Sequence, residues 1–291
     1  MRAGIDKKNP SKKLHDLELL KQISKGHFGV LYKAKTTDGE IVALKVVKNL
    51  DKHAIENSKK ELFVYSNLPA HPNILRCFGH AETSDSMFIM FEYIQNKDLW
   101  EYFFRDRQRR LSPKQIAKYI WQLCDSLRFL HNYDIIHADV KLENILVDDD
   151  DDIRLCDFGL AQIDNSKYKS DYRRGVCGTV GYIAPEVYED EIVGVSPAID
   201  AWAVGIVLYE LLYRKSPFID PNKLSSYKTS SGTLDKEQLK DLMCKFPSLP
   251  RNIDEDLLDL FRRVFKLDPD HRATISEIQR HRWVTKNYKP K

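Results

Sequence analysis

Four side chains between residues 135 and 159 carry the chemistry of this sequence: Asp139, Lys141, Asn144 and Asp157. Two short apolar runs, 145–147 and 153–156, flank five consecutive aspartates at 148–152. Apolar runs on either side of a polar tip predict a two-stranded hairpin. A polar cluster precedes its first strand and Asp157-Phe158-Gly159 follows its second. Asp139, Asn144 and Asp157 therefore converge at one end of the hairpin, with Lys141 between the first two. Two carboxylates, an amide and an amine suit a divalent metal, phosphate and a hydroxyl nucleophile. The five tip aspartates repel one another and cannot all face one ion, which predicts a solvated turn there.

A chain of 291 residues can bury a substantial core, as one large domain or two lobes. Its 42% hydrophobic and 31% charged residues fit a soluble globular protein. A net charge of +3 gives no global basic field for nucleic acid. No apolar run approaches the roughly 18–20 residues of a membrane span. The N-terminal lysines and arginine have no apolar stretch behind them, unlike a secretory signal. Five cysteines at irregular spacing fit neither a disulfide scaffold nor a zinc site, and point to a reducing, intracellular compartment, cytoplasmic, nuclear or both.

The elements that must hold the four side chains follow from pattern. Residues 1–15, with Lys7, Lys8, Lys12 and Lys13, read as a flexible basic tail. Residues 16–48 alternate as strands, with turns at Ser24-Lys25-Gly26-His27-Phe28-Gly29 and Thr36-Thr37-Asp38-Gly39. Glycines at such a turn let backbone approach phosphate closely. Residues 53–68 have helical spacing, and 74–93 give two more strands. Residues 97–105 and 112–132 read as helices, the second started by Ser112-Pro113. Ile116, Ile120, Leu123, Leu127 and Leu130 form its core stripe. Residues 196–215 are an apolar helix whose Asp200 needs partners, and 235–285 add further helices.

The run His137-Ala138-Asp139-Val140-Lys141-Leu142-Glu143-Asn144, followed by Asp157-Phe158-Gly159, resembles the catalytic and metal-binding loops of the eukaryotic protein kinases, with Ala138 in place of the family's Arg. Further motifs carry the same resemblance across about residues 17–285. Gly26 and Gly29 remain of a three-glycine loop whose first position is Ser24, which stiffens the loop or crowds the nucleotide. Val42-Ala43-Leu44-Lys45 is similar to the kinase Val-Ala-Ile-Lys. Gly178-Thr179 through Ala184-Pro185-Glu186 closes an activation segment that starts at Asp157, and Asp200-x-Trp202-x-x-Gly205 and Arg272 complete the set. The implied fold is α+β and bilobal. A small antiparallel-sheet lobe with helix C covers 16–92, a larger mainly helical lobe covers 93–285, and 286–291 is a C-terminal tail.

The resemblance implies a serine/threonine kinase using ATP with Mg2+, or Mn2+ in its place. Lys45 holds the α and β phosphates and is fixed by Glu61, with Glu56 as the alternative partner. Asn144 and Asp157 bind the metal. Asp139 orients the acceptor hydroxyl and takes its proton, Lys141 stabilises the moving phosphoryl, and Thr179 organises both. Ile23, Gly26, Phe28, Gly29, Leu31, Ala43, Phe91, Glu92, Ile94 and Leu146 line the nucleotide, with Phe91 the gatekeeper. Glu92 and Ile94 meet adenine through backbone. Asp98 either binds ribose or joins Glu143 and Glu210 in favouring Arg or Lys on the N-terminal side of the acceptor. Asp200 braces the catalytic loop and Arg272 pairs with Glu186.

Ala138 departs most from the family. Asn57 and Gln162 also lack charge where the family builds a phosphate-binding pocket, so activity is expected to depend weakly on activation-segment phosphorylation. Arg173 and Arg174 are a local alternative for binding such a phosphate. Cys156 borders the nucleotide pocket, and Cys177 lies in the polar segment with Ser166, Tyr168, Ser170 and Tyr172. Partners are a protein substrate with Ser or Thr, no nucleic acid beyond ATP and no membrane, with a monomer as the default. A pseudokinase that binds nucleotide and acts as a scaffold, or a small-molecule kinase, are the rival readings.

Overall fold

The computed structural model describes residues 17–26, 29–48, 52–96, 98–105, 109–163, 178–189, 196–220, 223, 226–228 and 235–290. Phe28, the tail 1–15, Cys177 and the segment with Ser166, Tyr168, Ser170, Tyr172, Arg173 and Arg174 lie outside the described residues. The chain divides into two compact units, 1–97 with 146–161 and 98–145 with 162–291. Each unit therefore uses two stretches of chain, where the sequence suggested one boundary at 92/93.

The first unit is built on an antiparallel sheet of β1 (Glu18–Gly26), β2 (Gly29–Lys35), β3 (Ile41–Lys48), β4 (Cys77–Glu82) and β5 (Ser86–Glu92), in the order β1-β2-β3-β5-β4. Side chains alternate across such a sheet. Leu31, Lys45 and Ile89 are cross-strand partners, as are Ala43 and Phe91, so one face presents Leu31, Ala43, Lys45 and Phe91. Ala34, Val42, Leu44 and Met90 are buried together on the other face, with Tyr32, Val46 and Phe88 against them. Gly29 turns back from β1 at φ +121°, and a Cβ there would sit 2.5 Å from the Val46 carbonyl oxygen. That position admits only glycine.

Helix α1 (Lys52–Asn67) buries Ser58, Glu61, Leu62 and Tyr65, one face at helical spacing. Glu61 is 2% exposed while Glu56 lies on the solvent side. Strands β7 (Ile145–Val147) and β8 (Ile153–Leu155) form the expected hairpin. Main-chain bonds tie it into the first unit: Leu75 N donates to Leu155 O and Leu155 N to Asn73 O, both at 2.9 Å. At its tip Asp148 accepts from the backbone N–H of Asp150 and Asp152 and pairs with Arg154 at 2.7 Å.

In the second unit, helix α2 (Pro113–His131) starts at a capping box between Ser112 and Gln115 and buries the whole expected stripe. Upstream, Leu99 and Trp100 are α-helical and Glu101–Arg105 continue as a π-helical turn. Strands β6 (Ile135–Ile136) and β9 (Gln162–Ile163) pair antiparallel. Helix α3 (Ala198–Tyr213) is buried along nearly its whole length. Helix α4 (Lys236–Met243) lies against residues 185–188, α5 (Glu255–Val264) and α6 (Ile275–Arg280) pack on α3, and α7 (Arg282–Asn287) packs on α2. Trp202 stacks on Phe218 at 5.3 Å and meets Phe265 edge-on at 5.1 Å. No helix among the described residues is long and apolar enough to cross a membrane.

Candidate active site

The catalytic stretch of the second unit hangs from one buried carboxylate. Asp200 accepts from His137 N and Ala138 N, each at 2.9 Å, and from His131 Nε2 at 2.8 Å. Burial alone would raise this carboxyl. The His131 hydrogen bond, the nearby histidines and the His137 N–H outweigh it and hold Asp200 below the ordinary carboxylate range. The polar residue that looked costly in an apolar helix is thus satisfied on three sides. Ala138 is pinned at φ 62°, a left-handed conformation uncommon for a residue with a Cβ.

Asp139, 4% exposed, is surrounded by donors. Thr179 Oγ1 donates to its Oδ1 at 2.7 Å and Lys141 Nζ to its Oδ2 at 2.8 Å. Asn144 Nδ2 donates to its carbonyl at 2.8 Å and to Oδ2 at 3.0 Å. Lys141 Nζ also donates to Thr179 Oγ1 at 2.7 Å, closing a triangle of acid, amine and hydroxyl. Gly178 permits this approach, because a Cβ at its φ of +115° would sit 3.0 Å from the Ala138 carbonyl oxygen. The end of the same segment is held by Arg272, whose two Nη atoms reach the two Glu186 oxygens at 2.6 and 2.8 Å. Arg272 also donates to the carbonyls of Lys266, Ala198 and Leu267, which satisfies a fully buried guanidinium.

Three further carboxylates in this unit are driven towards the neutral form, burial being the first cause for each. Asp98 is raised while its side chain accepts from Glu101 N at 2.8 Å. Glu143 is raised, with Asp98 and Asp139 adding repulsion and Lys141 opposing. Glu210 is pushed up to about 7, with Glu143 adding to burial and the Tyr182 hydroxyl, 2.5 Å away, opposing. Carboxylates that repel one another in poor solvent attract a cation strongly.

The first unit carries its own cluster. Lys45 Nζ lies 2.6 Å from Glu61 Oε2. Burial would lower the Lys45 ammonium, but the charges of Glu61 and Asp157 outweigh it and raise it. Glu61 is raised by burial against the pull of Lys45. Asp157 sits at φ 66° and accepts from Gly159 N at 3.2 Å. Its neighbour Phe158 is fully buried and meets Tyr65 edge-on at 5.0 Å, and Tyr65 meets Phe91 at 5.5 Å. Glu92 N donates to Arg76 O at 2.9 Å within the sheet. Leu31, Leu146 and Ile94 are half-buried and Ile23 is exposed.

The structure thus gathers Lys45, Glu61 and Asp157 in one unit and Asp139, Lys141, Asn144 and Thr179 in the other. Sequence reasoning missed His131, Tyr65 and Tyr182. Tyr65 follows Glu61 by one helical turn, a spacing that puts both on one face. His131 and Tyr182 carry no comparable local signal.

Comparison with known proteins agrees with this geometry. The protein kinase domain family model matches residues 17–284. An Aurora kinase of Debaryomyces hansenii is 33% identical over 94% of this chain and 63% of its own length. An Aurora kinase of Encephalitozoon cuniculi is 30% identical over 94% of this chain and 96% of its own length. Human NUAK family SNF1-like kinase 1 is also 30% identical, over 94% of this chain and 39% of its own length. The chain spans about two thirds of the Debaryomyces relative, and similar identity to differently named kinases singles out no subfamily. A match over nearly the whole sequence, together with the Asp139–Lys141–Thr179 triangle and the Lys45–Glu61 pair, places this chain in the protein kinase family.

Proposed function

We propose that the chain is an active protein serine/threonine kinase that transfers the ATP γ-phosphoryl to Ser or Thr hydroxyls. The observation that carries this is the closed triangle of Asp139, Lys141 and Thr179. Phosphoryl transfer needs alignment and charge neutralisation more than covalent chemistry. Asp139 orients the acceptor hydroxyl and receives its proton. Lys141 stabilises the transferring phosphoryl, and Thr179 keeps both in register. Lys45, held by Glu61, takes the α and β phosphates. The adenine of that ATP meets the backbone of Glu92 and Ile94. Its surroundings are Ile23, Gly26, Phe28, Gly29, Leu31, Ala43, Phe91 and Leu146, with Asp98 at the ribose or the peptide.

Asn144 and Asp157 hold the metal. One amide and one carboxylate, with phosphate oxygens completing the shell, fit the hard-oxygen preference of Mg2+, and Mn2+ accepts the same donors. Among the described residues no group of three or more His, Cys, Asp or Glu side chains could hold an ion unaided, which suits a cation that arrives with its nucleotide. When bound, it neutralises charge on the phosphates. Asn144 Nδ2 faces Asp139, which turns the amide oxygen away from that carboxylate.

Asp98, Glu143 and Glu210 select Arg or Lys on the N-terminal side of the acceptor. The supporting observation is the repulsion that Glu143 exchanges with Asp98 and Glu210, with Glu210 buried, Asp98 half-buried and Glu143 open to solvent where a peptide can reach it. Activity depends weakly on phosphorylation of the activation segment. Ala138, Asn57 and Gln162 supply no cation, and Gly178 docks directly on the Ala138 carbonyl. The free thiols of Cys77, Cys124, Cys156 and Cys244 support an intracellular, cytoplasmic or nuclear site of action. A scaffold without turnover is the less supported reading. A positional-scanning peptide array with Mg2+ and ATP, repeated with Asp157→Ala, tests the activity and the basic preference together. Turnover lost in the variant and enriched on basic peptides is the expected result, and no turnover in the parent chain sinks the reading.

A further inference from the structure

We propose that Ser112 is a phosphorylation site of this chain, modified by a second copy of the same kinase. The inference rests on the basic-peptide preference proposed above. Ser112 is the only Ser or Thr in the sequence with arginine at both the second and third positions before it, Arg110 and Arg109. Residues 109–112 form neither helix nor strand, and Ser112 is extended at φ −72°, ψ 155°. Arg110, Ser112, Pro113 and Lys114 are exposed. An extended stretch with two arginines, Arg109 half-buried and Arg110 exposed, before an exposed hydroxyl is the chemistry that the three carboxylates would recognise.

The stretch is anchored through Arg109 and through the cap of the helix. The Arg109 guanidinium lies over the Tyr102 ring at 3.8 Å, and the Arg109 carbonyl accepts from Arg214 Nη1 at 3.0 Å. The Ser112 hydroxyl accepts from Gln115 N at 3.2 Å and donates to Gln115 Oε1 at 3.1 Å. In the transfer, Ser112 Oγ forms a bond to the γ-phosphorus as the bond to the β,γ-bridging oxygen breaks. ADP leaves with that electron pair, and the serine proton passes to Asp139 of the acting copy. The phosphate then stands at the start of a 19-residue helix beside Arg110 and Lys114. Negative charge is favoured there, so the modification strengthens the cap rather than melting it.

The test uses the full chain. Asp157→Ala protein is the acceptor, wild-type protein with Mg2+ and ATP is the donor, and the modified residue is located by peptide mass spectrometry. Ser112→Ala removes the acceptor. Ser112→Asn also removes it but keeps a capping side chain, which separates loss of the site from loss of the fold. Phosphate on Ser112 in most acceptor chains, absent in both variants, with a higher unfolding temperature for the modified protein, is the expected outcome. An unmodified Ser112 beside a basic preference in the peptide array overturns the site alone. An array without basic preference overturns the specificity on which the site rests.

Discussion

Glu61 is buried and Lys45 half-buried, and each depends on the other. In Lys45→Met, Glu61 loses the charge that opposes its burial, and its carboxyl rises further. A carboxyl raised in the folded state gives stability that is present below its unfolded pKa and lost as pH rises through the folded value. The unfolding temperature of the variant should therefore fall more steeply than that of the parent as pH rises above the ordinary Glu range. Turnover should drop by about 100-fold or more, as for loss of a preorganised charge contact. Glu210, already pushed up to about 7, follows the same sign in the parent. Its stability contribution declines as pH climbs from the ordinary Glu value through about 7, while the carboxylate that forms attracts basic peptide. KM for an arginine-containing peptide should fall over that window, and Glu210→Gln should flatten the profile. A KM independent of pH in the parent would contradict this.

At the scale of elements, α3 and α5 touch where only a glycine fits. A Cβ at Gly205 would stand 2.3 Å from Val264 Cγ1 and 2.9 Å from the Phe265 ring. Gly205→Ala should cost about 1–3 kcal/mol through overpacking. Val264→Ala in the same chain should recover part of that loss in urea titrations, because it removes the colliding methyl. Full additivity of the two changes would show that the helices separate instead. The hairpin β7–β8 illustrates the reverse case. Its five aspartates look destabilising in isolation, yet Asp148 accepts two backbone N–H groups across the turn while Arg154 offsets its charge.

At the scale of the whole molecule, stretches far apart in sequence hold the catalytic segment in place. Arg272 and Glu186 are separated by 86 residues and joined by two hydrogen bonds. Arg272→Ala leaves a carboxylate and several carbonyls without their donor. The expected loss is about 3–5 kcal/mol, read by urea unfolding. Arg272→Lys should not restore it, because an ammonium cannot match the planar two-point contact. Equal stability of the Lys variant and the parent would show that charge alone suffices. Asp157→Ala is the contrasting variant, expected to abolish turnover while leaving the unfolding midpoint close to that of the parent.

Local signals determined much of this protein. Alternation set the five strands around Lys45, helical spacing set the stripe of α2, and Ser112-Pro113 marked its start, because each depends on residues within a few positions of one another. Motif spacing likewise identified Asp139, Lys141, Asn144, Asp157 and Thr179 as residues to watch. Only the tertiary structure decided between Glu61 and Glu56, since both lie on one helix and only burial and the contact with Lys45 separate them. It also brought His131 to Asp200, Tyr182 to Glu210 and Tyr65 between Phe91 and Phe158, and it joined the 146–161 hairpin to the first unit. Those contacts link residues distant along the chain or turn on which face is buried, and three-dimensional packing alone fixes such pairings.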